Sequence, residues 1–381
     1  MQNHPNISLS DLELPFKASA IMDYHDAALL EVGDKLVVGY LADDEDCENP
    51  LESCDGSGKL YSAHRHSSKH REMQEALAYD SDWQPDLGLV DDHRKRLRAT
   101  WIEMAMNSQE FIKWADENAG ARASKTDAYY KRRAAKLWDE TGGEYNYRDD
   151  SVQDFELWDD VRTKVWIELR EEGVIGEKDV VLLDCYEHSG QHWSLTGGGM
   201  QCRFDTAQGA GVWVPDDSAR AEIDRRAKVY AFGYIARNGN WTRKSGKLRF
   251  TAHLDANYGA EQSAEFGEWH EAFAWLEAKT AKLKPSSRRK AERAFQERRG
   301  RERAAQELAQ GALDEYNAWL AGQCYGVVAA TFQKVQSTDD EPQYEFVVSE
   351  ECWGYIGDDY AMEEAEQWAK SEAESLQKEA A

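Results

Sequence analysis

Glycine turns between residues 184 and 215 constrain the fold of this chain more than any other feature. The segment reads DCYEHSGQHWSLTGGGMQCRFDTAQGAGVWVP. Ser189-Gly190, Gly197-Gly198-Gly199 and Gly209-Ala210-Gly211 permit tight reversals, because glycine adopts positive φ without steric cost. The runs between these turns are typical of β-strands, so the segment predicts a group of tightly turned hairpins.

Helical and strand patterns otherwise follow each other in blocks. Apolar residues at three- and four-residue intervals predict helices over 91–118, 124–140 and 152–172, and a long helical region covers about 260–321. Strands cluster locally and do not alternate regularly with helices. The expected fold class is therefore α+β, with small antiparallel sheets flanked by helices, a helical middle block and a long arginine-rich helical insertion.

A chain of 381 residues exceeds the usual size of one compact core, so more than one domain is expected. We expect an N-terminal α+β module over 1–90 that carries an acidic loop, and a helical block over 91–176. The remainder, 177–381, is expected to form a C-terminal α+β domain with a helical insertion at about 260–310.

Net charge is the strongest bulk property of the chain. The formal charge is -26, and fourteen acidic residues against two lysines lie between Asp339 and Glu379. Such a surface repels nucleic acid and anionic membranes and attracts basic proteins. A basic protein partner is therefore expected, and a membrane is not.

Cysteine usage and the start of the chain indicate the compartment. Six scattered cysteines do not form a disulfide framework, and no signal peptide or membrane span is evident. A cytoplasmic location is expected.

Phosphate-binding loops, H-E-x-x-H and G-x-S-x-G are absent from the sequence, which argues against the commonest nucleotide and hydrolase chemistries. The chain is therefore not predicted to be an enzyme, and no cofactor is predicted.

A zinc site is the alternative suggested by a first group of residues. Thiolates and imidazoles are zinc ligands, and two of the histidines would share one face of a helix. The spacing matches no zinc-ribbon or zinc-finger pattern, so surface histidines beside an acidic loop are the favoured interpretation. The residues concerned are Cys47, Cys54, His64, His66 and His70.

A hydrolase or metalloprotein site is the alternative suggested by Cys185, His188 and Asp205. A cysteine nucleophile needs a base within hydrogen-bond reach and donors for developing charge. In the favoured interpretation the cysteine fills core space, and His188 and Asp205 form a buried polar pair that holds one turn against another.

An arginine-rich helix suggests a third alternative. From Lys282 to Arg303 ten basic residues stand against three glutamates. Arginines on a helix can bind phosphates, so the alternative hypothesis is a nucleic-acid-binding accessory protein. Intrahelical pairs with glutamate and glutamine instead favour a solvated or self-associating helix. The candidate contacts are Arg288, Arg289, Arg298 and Arg299.

Four short motifs, in one order, resemble a family of small phage and mobile-element proteins. YEHSG (186–190) and FDTAQGAGVWV (204–214) are similar to the family's Y-D-H-S-G and W-D-S-G-Q-x-G-x-[IVW]. YNAWLAGQCYG (316–326) and ECWGYIG (351–357) are similar to its Y-x-x-[YW]-L-x-G-x-x-Y-G and S-C-W-G-F-Y-G. The motif residues that match are Tyr186, His188, Gly190, Asp205, Gly209, Gly211, Trp213, Trp319, Gly322, Trp353 and Gly354.

The resemblance covers roughly 179–370, with an expansion over 227–305, and leaves the first 175 residues unmatched. The chain departs from the family at Glu187, Phe204 and Thr206-Ala207. Because members of the family are mostly uncharacterised accessory genes, the resemblance implies only a mobile-element origin, in the company of host-takeover and anti-defence genes. It suggests a phage- or plasmid-encoded binding protein in the host cytoplasm, whose partner is a basic host or defence protein.

Overall fold

The structure is a computed structural model that describes residues 7–23, 27–120, 125–142, 157–238, 249–255, 262–284, 290–335 and 343–379. It has the α+β fold expected from the sequence. The strands are β1 (Ala28–Val32), β2 (Lys35–Asp43), β3 (Lys59–Ser62), β4 (Val181–Glu187), β5 (Gln191–Leu195), β6 (Thr206–Val214), β7 (Gly233–Arg237), β8 (Phe250–Leu254), β9 (Gln262–Phe266), β10 (Cys324–Val335) and β11 (Gln343–Ile356).

The helices are α1 (Pro50–Ser53), α2 (His70–Leu77), α3 (Arg94–Asn107), α4 (Gln109–Glu117), α5 (Asp127–Thr141), α6 (Leu157–Glu172), α7 (Asp217–Tyr230), α8 (Trp269–Thr280), α9 (Lys290–Leu320) and α10 (Asp358–Glu379). Short 3-10 helices cover Leu9–Asp11, Ala20–Asp23 and Leu87–Val90. In the part of the chain that is described, no helix has the length and apolar character needed to cross a membrane.

The chain divides into two compact units. The first contains Met1–Lys59, Leu183–Gly209 and Pro215–Ala381, and the second contains Leu60–Leu182 and Ala210–Val214. This grouping differs from the division at 90 and 176 expected from the sequence. The reason is that β2, near the N-terminus, pairs along its length with β10, so the two ends of the chain share one sheet.

An antiparallel sheet in the order β1-β2-β10-β11 forms the largest β-structure of the first unit. Apolar residues of β2 and β10, including Val38, Tyr40, Val328 and Phe332, are completely buried in its core. Helix α10 packs on this sheet. Alanines at every fourth position of α10 are buried because that spacing places them on one face, and they are Ala361, Ala365, Ala369 and Ala373.

A second, three-stranded antiparallel sheet in the order β7-β8-β9 lies in the same unit and packs against α8. The arginine-rich helix α9 runs beside α7. Its one glycine in the arginine-rich half, Gly300, allows the close approach, because a Cβ there would overlap the carbonyl oxygen of Ala227. Gly300 therefore serves the packing of α9 against α7.

Helices dominate the second unit. Leu97 and Trp101 of α3, Phe111 of α4, Trp138 of α5 and Val165 of α6 form its buried core. The single helix expected over 91–118 is two helices. The break falls at Ser108, whose Oγ accepts a hydrogen bond from the backbone N–H of Phe111 at 3.3 Å and so caps α4.

Candidate functional site

Asp184 organises the glycine-turn segment. This buried carboxylate accepts hydrogen bonds from the backbone N–H groups of Gly197 at 2.8 Å and Gly209 at 2.9 Å, and from the side chain of Gln201 at 3.0 Å. Burial acts to raise the pKa of Asp184, but the hydrogen bonds outweigh it and hold the pKa below its ordinary value. The residue at the start of the segment is thus the anchor of its turns.

Cys185, His188 and Asp205 do not form a nucleophile and base. Cys185 is completely buried on β4 opposite Trp193, and burial raises the pKa of its thiol to about 12. A thiol in such a setting is a poor nucleophile at neutral pH. Its expected role in filling core space agrees with this burial.

His188 and Asp205 do meet, but at the surface. His188 Nδ1 lies 3.6 Å from Asp205 Oδ2, and the His188 side chain is 70% exposed. The interpretation of this pair as buried was therefore wrong, since the hairpin turn places the histidine in solvent. The cysteine beside Asp205 is Cys202, whose Sγ donates to Asp205 Oδ2 at 3.3 Å. None of these side chains lines the cavities described below.

Asn317, in the YNAWLAGQCYG motif, contacts the backbone of Trp193 in the glycine-turn segment. Its side chain accepts from the backbone N–H of Trp193 at 2.8 Å and donates to the Trp193 carbonyl at 2.7 Å, which ties α9 to β5. Nearby, Trp319 Nε1 donates to the carbonyl of Cys47 at 3.0 Å, and Gly322 turns the chain from α9 into β10 with a φ of +73°. The YNAWLAG motif therefore joins three segments of the first unit.

The last two motifs of the resemblance are in contact with each other. The Trp353 ring lies against the backbone of Gly326 at a β-bulge between β10 and β11, where a Cβ on residue 326 would overlap the ring. Trp353 packs edge-on against Phe16, with ring centroids 5.3 Å apart. The N–H of Gly354 donates to Asp44 Oδ2 at 2.9 Å. These contacts assign the tryptophan and both glycines a structural role.

The other motif residues lie in or beside the hairpins. Tyr186 stacks with His188 at 6.3 Å between ring centroids, and the exposed Gly190 follows in the turn. Gly211 and the completely buried Trp213 lie on the part of β6 that belongs to the second unit.

The residues of the zinc alternative are not assembled as a site. Within the described ranges, no three or more histidine, cysteine, aspartate or glutamate side chains come together in a way that could hold a metal ion. Cys47 and Cys54 lie in the first unit, and His64, His66 and His70 lie in the second. His64 is buried, and its carbonyl oxygen lies 3.3 Å from His70 Nε2.

The arginines of α9 are engaged within the protein. Arg299 contacts Asp255 at 2.9 Å and donates to the carbonyl of Ala231 at 2.7 Å, and Arg298 lies 3.6 Å from Glu302. Arg288 and Arg289 lie outside the described residues. A phosphate would compete with these carboxylates, which weakens the nucleic-acid alternative.

An exposed acidic and apolar strand is the most prominent feature of the surface. β11 is 14 residues long, forms the edge of its sheet and is exposed along most of its length on both faces. Phe346 is 42% exposed, Val347 and Val348 are each 51% exposed, and Trp353 is 42% exposed. Its charged residues are Glu345, Glu350 and Glu351, and it contains no lysine or arginine.

An acidic cavity of about 750 Å³ adjoins the C-terminal end of this strand. Trp353, Gly354 and Ile356 of β11 form one wall. Among the residues that the structure describes, the lining contains no basic one. Its carboxylates come from the end of β2, the loop after it and α9, and they are Asp43, Asp44, Glu45, Asp46, Glu48 and Glu315. We call β11 together with this cavity the acidic edge. Burial raises the pKa of Glu315, as expected for a carboxyl that is partly removed from water.

Sequence reasoning identified the acidic loop and the ECWGYIG motif but did not connect them. The available signal was the composition of β11, where glutamates and large apolar residues do not alternate as they would on a half-buried strand.

Comparison with protein-family models, curated proteins and solved structures finds no match to this chain.

Proposed function

We propose that the protein is a non-enzymatic binding protein that engages a basic, extended polypeptide segment through the acidic edge. The observation that carries the proposal is the exposure of β11, an edge strand with apolar and acidic side chains and an outer row of backbone groups. Exposed edge strands of this length and character are normally protected, because they pair readily with other chains.

The mode of binding follows from this geometry. A partner segment adds to the sheet beside β11, so that backbone hydrogen bonds provide affinity. Apolar side chains of the partner cover Phe346, Val347 and Val348, which otherwise remain in contact with water. Lysines or arginines of the partner face Glu345, Glu350 and Glu351, and one enters the acidic cavity beside Trp353.

The net charge of -26 supports the same choice of partner, since it accelerates encounters with basic proteins and repels acidic ones. The motifs that resemble mobile-element proteins favour a phage- or plasmid-encoded accessory role in the host cytoplasm. On that basis the partner is a basic host or defence protein. Anti-defence activity belongs to this part of the proposal.

The test uses affinity capture from phage- or plasmid-bearing cells, followed by binding measurements with the purified partner. The variant Glu345→Lys/Glu350→Lys reverses two charges on β11. Its matched control, Glu374→Lys/Glu379→Lys, makes the same change in net charge at exposed positions of α10.

We expect the β11 variant to lose binding about tenfold or more and the α10 variant to retain it. Binding of the wild type should weaken as salt rises from 0.05 to 0.5 M, because exposed ion pairs are screened, with a Debye length of about 10 Å at 0.1 M. Equal loss in both variants would show that net charge alone matters. Unchanged binding in the β11 variant would refute the proposal.

A further inference from the structure

A second cavity, of about 770 Å³, lies within the first unit and is separate from the acidic edge. It is formed mainly by α7, α9, residues of the paired strands β7 and β8, Arg249 beside β8, and the first residue of α8. Its volume falls in the range of small-molecule sites, about 300–1,000 Å³. Apolar and aromatic side chains contribute to its walls, among them Tyr230, Tyr234, Ile235, Phe250, Trp269 and Leu308.

Two buried oxygen atoms at this cavity make no hydrogen bond of normal geometry with the described residues. Tyr230 is 1% exposed, and Glu307 accepts a hydrogen bond from Trp269 Nε1 through its Oε1 atom. Tyr230 Oη and Glu307 Oε2 interact with each other, but outside normal hydrogen-bond geometry, and neither has another partner among the described residues. Buried polar atoms are nearly always paired, so this pair indicates a place for a polar edge of a ligand.

Glu307 has an unusual electrostatic environment. Burial raises its pKa, and the neighbouring Tyr230, Arg226 and Trp269 only partly oppose that effect. At a given pH, the protonated, uncharged form of Glu307 is therefore more populated than that of an exposed glutamate. As an acid the carboxyl can donate one hydrogen bond and accept others, and as a carboxylate it can only accept.

Flat side chains flank this polar pair. The Arg226 guanidinium lies 4.1 Å from the centre of the Trp269 ring, and that of Arg303 lies 5.2 Å from the centre of the Tyr234 ring. Glu222 holds Arg226 at 2.6 Å, and the carbonyl of Gly233 accepts from Arg303 at 2.8 Å. Trp269 also stacks on Phe273 and Tyr234 on His253, so the planes that these stacks present to the cavity are the guanidinium groups of Arg226 and Arg303, on which a planar ring can lie.

The lining is richer in cations than the rest of the protein. Four arginines (Arg226, Arg237, Arg249 and Arg303) stand against three carboxyl groups (Glu307, Asp314 and Glu315). Arg237 is half-exposed and lies 2.9 Å from Asp314. Glu222 and Asp255 contact Arg226 and Arg303 from outside the lining, so the cavity is close to neutral and repels an anion less than the strongly acidic surface of a chain with a net charge of -26.

From these observations we infer that the cavity binds a planar heteroaromatic ligand with an anionic group, the class that nucleoside monophosphates represent. The hydrogen-bonding edge of the ring faces Tyr230 and Glu307, and the ring lies on the guanidinium groups of Arg226 and Arg303. The anionic group lies toward Arg237. This ligand site is independent of the proposed binding of a basic polypeptide.

Isothermal titration calorimetry with GMP, AMP, CMP and UMP tests the inference, and guanosine and inorganic phosphate are titrated separately. We expect saturable binding of at least one nucleotide and weaker binding of guanosine and of phosphate. Tyr230→Phe, Glu307→Gln and Arg237→Gln should each weaken binding of that nucleotide about tenfold. Arg293→Gln, on an exposed arginine of the same helix outside the cavity, should bind like the wild type.

Tyr230→Phe is the most informative variant, because the hydroxyl it removes makes no hydrogen bond of normal geometry with the described residues and the fold should tolerate the change. Thermal unfolding of each variant checks this. The inference is overturned if none of the four nucleotides binds at millimolar concentration, or if phosphate alone binds as tightly as the nucleotides. Equal binding of a nucleotide to the wild type and to a folded Tyr230→Phe variant would also overturn it.

Discussion

The carboxamide of Asn317 makes two hydrogen bonds with the backbone of Trp193, at 2.8 and 2.7 Å, and so acts as a substitute strand at the edge of β5. The two residues are 124 positions apart in the chain. The YNAWLAGQCYG motif is thus joined to the glycine-turn segment. Gly326 and Trp353, which belong to the last two of the four motifs, are in contact with each other at the β10–β11 bulge.

We expect Asn317→Ala to lower the free energy of unfolding by about 2–3 kcal/mol, because it removes two part-buried hydrogen bonds to the backbone of Trp193. Urea denaturation followed by circular dichroism measures the effect. Gln310→Ala on the same helix is the control, since that side chain makes one exposed hydrogen bond, to Asp314, and its loss should cost less than about 0.5 kcal/mol. Similar costs for the two variants would contradict the role given to Asn317.

Asp216 and its neighbour Asp217 should differ in their contribution to stability. Asp216 Oδ1 caps α7 by accepting from Ala219 at 2.8 Å, and its Oδ2 accepts from Gly56 at 2.9 Å and Gly58 at 3.1 Å. Asp217 is fully exposed. Asp216→Ala should therefore cost about 2 kcal/mol or more, the sum of a lost cap and unpaired N–H groups, and Asp217→Ala about 0.5 kcal/mol or less. Thermal unfolding of both variants provides the comparison.

The hydrogen bonds to Asp184 predict a loss of stability in acid. Its folded pKa lies below the ordinary aspartate value of about 3.9, so the unfolded chain binds the proton more tightly. The stabilisation is complete above that ordinary value and is lost as pH falls through the lower folded pKa. In urea denaturation between pH 2 and 6, Asp184→Asn should be less stable than the wild type near pH 6. The difference should shrink as the pH falls, and a constant difference would contradict the prediction.

Glu307 should show the opposite pH dependence. Its folded pKa is raised, so the folded chain binds the proton more tightly and stability falls as pH rises from about 4 through the folded pKa. Glu307→Gln removes this titration. We expect the stability of the variant relative to the wild type to increase from pH 4 to pH 8 in thermal unfolding. Glu302→Gln, an exposed position on the same helix, should show little change over that range.

The cysteines should react with a thiol reagent in an order set by burial. Cys54 and Cys352 are exposed, whereas Cys185 is buried and has a pKa of about 12. In the native protein at pH 8 we expect Cys54 and Cys352 to be modified first and Cys185 only after unfolding. Peptide mapping after timed labelling checks the order. Rapid native labelling of Cys185 would instead support the thiol chemistry that its burial argues against.

Local structure could be predicted where the determining interactions are close in sequence. The hairpins of the glycine-turn segment and the apolar periodicity of the helices depend on neighbours within a few residues. The contact of Asp205 with Cys202 depends on turn geometry, which the spacing of the two cysteines in the segment does not specify. Arg299 could not be assigned, since its carboxylate partner, Asp255, lies on another element.

By itself, the sequence determined the α+β class, the acidic character and the positions of most strands and helices, because these follow from composition and short-range periodicity. Only the tertiary structure decided that β2 pairs with β10, that β11 is left as an exposed edge and that the arginines of α9 face carboxylates and a cavity. Such pairings join segments far apart in the chain, and their free energy depends on complementary surfaces that no local pattern specifies.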